Sequence, residues 1–313
     1  MLARPSWLDP RRRIAVRHFA GPAGFADRYD RPLRIAHITD QHVGLVTPES
    51  LQRAAVELVN EQDPDLVVLT GDYVAHSLDY LDLLEDVLRN VDAPMIGVMG
   101  NHDHWSGADG VRASLKRAGV LVLDNAWTEV ELRGQRLRVV GLDDAYTGHA
   151  DIEKATIGLD GRVPVLGLSH IAEEADELWQ RGASLVLSGH THSGQVTVGQ
   201  LHHLTLGRLG GHKYLHGLYG CRRGEQADGA VYVSAGIGAA VFGLRIGERS
   251  RPEVPVFDLG ADADHHDEHH AEQAPHPAGR EVTPELRMKR RAMAERKLRR
   301  RRRTEKTERT SPE

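Results

Sequence analysis

Five short apolar runs in this sequence end in the same way. Leu33–Ile38 runs into Thr39-Asp40-Gln41-His42, Asp65–Leu69 into Thr70-Gly71-Asp72, and Pro94–Met99 into Gly100-Asn101-His102-Asp103. Val163–Leu168 leads to Ser169-His170, and Ala183–Leu187 to Ser188-Gly189-His190-Thr191-His192. Runs of this length between turn residues read as buried strands. Helical spacing follows the first three, over about Pro48–Asn60, Leu78–Asn90 and Gly110–Ala118, and a further helix is expected over about Glu173–Arg181. Alternating strands and helices predict an α/β fold. In such folds, sites form beyond the carboxyl ends of the strands, and every one of these clusters occupies that position.

The stretch between the third and fourth clusters has a different rhythm. Val120–Leu123, Trp127–Leu132 and Arg136–Val140 read as closely spaced strands, with Arg133-Gly134-Gln135 as a hairpin turn. A short helix is expected near Ile152–Ile157, and late strands over Ala230–Ser234 and Val254–Phe257. No repeat of solenoid length is present.

Each cluster alone has an ordinary explanation, because Asp and Asn after a strand are common turn residues. Turn chemistry does not, however, call for His42, His102, His170, His190 and His192 in addition. Together the clusters offer imidazoles, carboxylates and one amide oxygen, with no thiolate. That donor set suits Mn, Fe, Zn or similar divalent ions better than calcium, which prefers oxygen alone. One zinc ion needs three or four ligands, and the surplus points to two ions. Paired ions can clamp the attacking and leaving oxygens of a displacement and lower the pKa of water towards about 7.

In order and content these motifs resemble those of the calcineurin-like metallophosphoesterases, over about residues 33–259. The resemblance implies that family's fold, α/β with two packed mixed β-sheets flanked by helices. It implies a dinuclear metal-dependent phosphoesterase acting on a phosphodiester or diphosphate. By position, Asp40, His42 and His192 would hold the first metal, Asp72 would bridge, and Asn101, His170 and His190 would hold the second. His102 would face the phosphoryl oxygens or the leaving group, with Asp103 orienting it. Further matches at Gly141–Asp144, Tyr214–Tyr219, Ser234–Gly238, Arg245 and Pro252-Glu253 resemble a bacterial, membrane-associated branch. That branch includes UDP-2,3-diacylglucosamine diphosphatases of lipid A synthesis. The alternatives are a soluble nucleotide phosphodiesterase and a non-catalytic binding protein that keeps the fold. This sequence departs from the family at Gln41, at Ser193, at Ile171-Ala172-Glu173 and at Ala75, where many relatives carry an Asp that supports the catalytic His.

The remaining expectations concern the ends of the chain. Residues 1–31 are polar and Arg-rich and read as a loosely ordered arm, leaving 32–260 as the metallophosphoesterase domain. Arg11-Arg12-Arg13 precedes no apolar segment of the secretory type, and no apolar run approaches the ~18 residues of a spanning helix. The lone Cys221 excludes an intrachain disulfide and fits a reducing, cytoplasmic setting. Residues 261–313 read as a disordered tail, acidic and His-rich over Asp262–His276, then basic. Residues 280–313 hold 14 Lys/Arg and six Glu, a balance of +8 that leaves −13 for the rest of a chain of net charge −5. That basic tail reads either as a solvated, solubilising segment of a cytoplasmic protein or as a dock for an anionic surface, the inner face of the membrane first and nucleic acid second.

Overall fold

The computed structural model describes residues 9–26, 28–194, 203–220, 229–238, 245–261 and 273–296. Two six-stranded mixed sheets pack face to face, as expected. Strands are numbered in chain order. The first sheet holds β1 (Ala15–Ala20), β2 (Leu33–Ile38), β3 (Leu66–Leu69), β4 (Met95–Gly97), β5 (Val120–Val122) and β12 (Glu253–Leu259), in the order β1-β12-β2-β3-β4-β5. The second holds β6 (Ala126–Leu132), β7 (Gln135–Gly141), β8 (Val165–Leu168), β9 (Ala183–Ser188), β10 (Gly217–Gly220) and β11 (Ala230–Val233), in the order β10-β11-β9-β8-β7-β6.

The central runs are largely apolar because both faces of each sheet are covered there. Successive side chains alternate in direction. Leu33, Ile35, Leu66 and Val68 therefore face the other sheet and meet Val139, Leu166, Leu168, Leu185 and Leu187. Ala36, Ile38, Val67 and Leu69 point the opposite way, onto α1 (Glu49–Asn60), α2 (Leu81–Leu88) and α4 (Ala108–Arg117). On the far side, Val140, Val165, Val186 and Val231 pack against α5 (Ile152–Ala155) and α6 (Ala175–Gln180). Each fully buried Leu, Ile or Val contributes about 1.5–3 kcal/mol. The β6–β7 hairpin turns through Arg133 and Gly134, both with positive φ, as a two-residue turn requires.

Two boundaries differ from the sequence expectation. Residues 1–31 are not simply an arm, because β1 pairs in parallel with β12 along its whole length. Arg17 interrupts its apolar pattern, yet that guanidinium is buried and paired with Glu253 at 2.8 Å. Phe19 from the same strand stacks on Phe257 and packs at a tilt against Tyr232 inside the sandwich. Nor are all residues after 260 without structure. Gln273 pairs its backbone and side chain with the Leu218 and His216 carbonyls, and residues 284–296 form a helix. Arg287 on that helix reaches Glu174, a fully buried carboxylate, at 2.6 Å and also pairs with Glu177. Arg291 donates to the Gly148 and Ala150 carbonyls. This basic helix is held by ion pairs and carbonyls instead of an apolar stripe. The readings of Cys221, of acidic residues 262–272 and of the basic run beyond Arg296 lie outside the described residues. No helix among the described residues is long and apolar enough to cross a membrane.

Candidate metal centre

The parallel strands β2, β3 and β4 of one sheet and β8 and β9 of the other deliver their following loops to a common edge. Backbone hydrogen bonds knit these loops together. Asp40 N donates to the Gly71 carbonyl at 3.0 Å, His42 N to the Asp72 carbonyl at 3.0 Å and Gly189 N to the His170 carbonyl at 3.2 Å. Asp40, His42, Asp72, His190 and His192 all have φ between 43° and 73°. Side-chain-bearing residues rarely adopt that left-handed conformation, and its cost has to be met by the surrounding structure. Two glycines let the loops close. A Cβ at Gly100 would lie 2.3 Å from Asp72 Oδ1, and one at Gly189 would lie 2.2 Å from Asp40 Oδ2.

The side chains converge in two groups that share one carboxylate. Asp40, His42, Asp72 and His192 bring ligand atoms within 4.8 Å of one another, and Asp72, His170 and His190 do the same. In the first group His42 Nε2 and His192 Nε2 are 2.9 Å apart, and His192 Nε2 is 3.3 Å from Asp40 Oδ1. In the second, His170 Nε2 is 3.3 Å from Asp72 Oδ2, while its Nδ1 donates to the Thr70 carbonyl at 2.7 Å. That bond fixes the tautomer and aims the Nε2 lone pair inward, as for a ligating His with an outer-shell partner. Asn101, in the first turn of α3 (Asn101–Ser106), is buried, and its Oδ1 has no hydrogen-bond partner.

These observations test the fit of two divalent ions. A buried amide oxygen without a partner is costly, and so are two imidazole nitrogens in contact that point at carboxylates. Cations would satisfy all of them. The electrostatics agree. Burial holds His42 down at about 3 and keeps His192 well below its usual value, so both are neutral, the form that ligates. Burial, with His170 and His212 nearby, likewise depresses His190. Burial pushes the Asp40 carboxyl up to about 6, which an adjacent cation would reverse. Against the same burial, pairing with His170 keeps Asp72 well below the carboxylate range and raises the His170 imidazole to about 10, so without an ion a proton on Nε2 stands where a cation would, and ligation would displace it. The structure thus brings together Asp40, His42, Asp72, His170, His190 and His192, with the Asn101 side chain buried in the first turn of α3.

His102 sits at the rim, its ring edge-on to His42 with centroids 4.7 Å apart. Its Nδ1 is 2.6 Å from the Ala75 carbonyl, so the backbone at Ala75 supports the ring. The expectation that Asp103 orients His102 is not met. The Asp103 carboxylate turns away and accepts from the backbone N–H groups of Asp72, Tyr73 and Gly100, each at 2.9 Å, and of Val74 at 3.3 Å. It braces the loop that carries Asp72. Sequence reading also gave no role to Trp105 and Tyr146, which stand exposed at the mouth beside His102 and His190.

Comparison with known proteins agrees with this geometry. The profile described as "Calcineurin-like phosphoesterase" matches residues 33–194. The chain is 30% identical over 261 residues to "Phosphodiesterase YaeI" of Escherichia coli (strain K12), covering 82% of this chain and 89% of that protein. It is 30% identical to "Uncharacterized metallophosphoesterase YkuE" of Bacillus subtilis (strain 168), over 72% of this chain and 78% of the relative. A "Transmembrane protein with metallophosphoesterase domain" from Danio rerio is 32% identical over 70% of this chain, which spans 51% of that longer protein. With two buried Asp/His groups joined through Asp72 at the edge of a double-sheet sandwich, the chain belongs to the calcineurin-like phosphoesterase family and is a metal-dependent phosphohydrolase.

Proposed function

We propose that the protein hydrolyses a phosphodiester or diphosphate by in-line attack of water on phosphorus. The observation that carries this reading is the sharing of Asp72 by two ligand groups, with His102 at their rim. Asp40, His42, Asp72 and His192 would hold one divalent ion, and Asp72, Asn101, His170 and His190 the other. When bound, such ions neutralise phosphoryl charge and make hydroxide available at neutral pH. The chain's own residues supply the rest. Thr39 Oγ1 and the His190 backbone N–H both donate to the Asp40 carboxylate and fix its direction. The Asp103 brace does the same for the Asp72 loop. His102, with Nδ1 engaged on Ala75, keeps Nε2 to steady or protonate the departing oxygen.

The phosphodiesterase named among the relatives supports a diester, and the branch resemblance supports a lipid-linked or nucleotide-sugar diphosphate. The deciding experiment is hydrolysis by the Mn-loaded protein of bis-p-nitrophenyl phosphate, UDP-2,3-diacylglucosamine and cyclic and linear nucleotides. Cleavage of one or more supports the proposal. No cleavage of any, with two metal equivalents bound, refutes it and favours a binding protein.

The partner reading is a peripheral contact with an anionic membrane through the basic tail. Arg287 and Arg291 are committed to the body of the protein, which leaves the exposed Lys289 and Arg296 on the helix, followed in the sequence by the basic run Lys297–Arg303. Each engaged cation contributes on the order of 1 kcal/mol, and salt weakens the contact. Co-sedimentation with anionic but not neutral liposomes, lost in a chain ending at Gly260, is the expected result. Retention by RNA alone would assign the tail to nucleic acid.

A further inference from the structure

Trp105, on α3 after a strand of the first sheet, and Tyr146, in the loop after β7 of the second, meet over the mouth of the site. The Trp105 ring centroid is 5.0 Å from His102, and the Tyr146 centroid is 5.2 Å from His190. The two aromatic rings are 5.9 Å apart at 78°, so they form a corner that joins His102 to the second ligand group. Trp105 is 38% and Tyr146 45% exposed, although most large apolar side chains here are buried. A flat ring laid against one face of this corner would meet the edge of the other, an arrangement aromatic pairs favour.

The surroundings specify what kind of group fits. An acyl chain needs apolar walls, but the neighbours are polar rings. His76 lies 5.1 Å from His102, His212 lies 5.5 Å from His190, and both His76 and His149 are exposed. The guanidinium of Arg290, on the docked basic helix, stands 5.8 Å from the Tyr146 ring centroid. Aromatic faces interleaved with a cation suit a planar base attached to an anionic phosphate.

We propose that Trp105 and Tyr146 form a subsite that stacks the nucleobase of the departing group, so that the substrate is a nucleoside-bearing phosphodiester or diphosphate. This rests on the assignment of His102 to the leaving side. In the step itself, the oxygen of water bonds to phosphorus and gives up a proton, and the P–O bond to the nucleoside side breaks. The departing nucleoside oxygen takes a proton carried on Nε2 of His102, and the proton released by water replaces it. Trp105 and Tyr146 do no chemistry and set specificity.

Two measurements on the full-length, Mn-loaded protein test it. Steady-state kinetics compare a dinucleotide diester with glycerophosphoethanolamine, which lacks a base. Quenching of tryptophan fluorescence by adenosine 5′-monophosphate reports binding without turnover. Wild type is expected to prefer the dinucleotide. Trp105→Leu and Tyr146→Ala should each raise its KM about tenfold with kcat kept, while the base-free diester changes little. Trp105→Phe should restore most of the loss, and the quench should vanish in Trp105→Leu. Equal losses on both substrates would overturn the proposal, as would a persistent quench in Trp105→Leu or a wild-type preference for the base-free or an acylated substrate. If no diester is cleaved at all, the phosphodiesterase reading fails, whereas the nucleotide quench still decides the subsite.

Discussion

His102 is held by the backbone of Ala75, with Nδ1 2.6 Å from the carbonyl oxygen. A carbonyl can only accept, so Nδ1 carries a proton, and Nε2 is the nitrogen available for the proposed role at the leaving oxygen. Position 75 is Ala, where the family pattern implies a carboxylate, so a peptide dipole holds the ring and it keeps its orientation without an added negative charge. His102→Ala should therefore retain two metal equivalents and lose turnover by ~10²-fold or more. Metal analysis beside initial rates checks this, and an empty His102→Ala protein would make His102 a ligand instead.

Asp72→Ala should behave in the opposite way. Its carboxylate lies in both ligand groups, so removing it should empty both and abolish activity together. Addition of Mn should raise the melting temperature of wild type but not of the variant, since only a binding-competent native state is stabilised by ligand. An equal shift in both proteins would rule out the bridging role.

Arg17→Ala tests the strand that the sequence hid. The guanidinium is buried against Glu253, whose other oxygen also accepts from Tyr232 Oη at 3.0 Å and Ala235 N at 2.9 Å. Deleting one member of a buried pair leaves the other charge uncompensated and costs about 3–5 kcal/mol. The urea midpoint should fall accordingly. An unchanged midpoint would mean that β1 contributes little to the fold.

His104 and Asp143 give a pH dependence. Burial pulls the His104 imidazole down, but the Asp143 carboxylate 2.7 Å away outweighs it and raises the group above 6.5. Burial pushes Asp143 up, but His104 and Arg112 outweigh it and hold the carboxyl well below 3.8. The raised His contributes stability that is complete below its unfolded value and lost as pH rises through its folded one. The depressed Asp contributes stability that is complete above its unfolded value and lost as pH falls through its folded one. The pair therefore contributes fully between about 3.8 and 6.5. In wild type the His104 ring resonances should titrate above 6.5, and in Asp143→Asn well below their wild-type midpoint.

The candidate ligand residues were legible as clusters because each follows a largely apolar run, and such runs reveal where a strand ends. The double sheet came with the family resemblance, since periodicity alone does not say which strands share a sheet. Strand β1 was not legible because Arg17 looks like a surface residue until its partner, Glu253, is brought to it by the fold. Asp103 was misassigned for a similar reason. A carboxylate beside a catalytic His suggests a side-chain partner, and nothing in the sequence shows that four backbone N–H groups point at it. The helix over residues 284–296 lacks an apolar stripe, and the buried Glu174 that draws Arg287 onto the body belongs to a distant segment.

The placement of β12 between β1 and β2 has a consequence for biosynthesis. Every candidate ligand has left the ribosome once His192 has, yet the first sheet stays split until Glu253–Leu259 emerges and slots between two strands made long before. Until then β2 presents an open edge able to pair with any extended neighbour. Such long-range pairing is slow and leaves nascent chains exposed to aggregation. A chain interrupted before Glu253 would thus carry all the candidate metal-binding side chains and still have no closed scaffold to hold them, so premature termination should yield insoluble protein and not a partly active fragment.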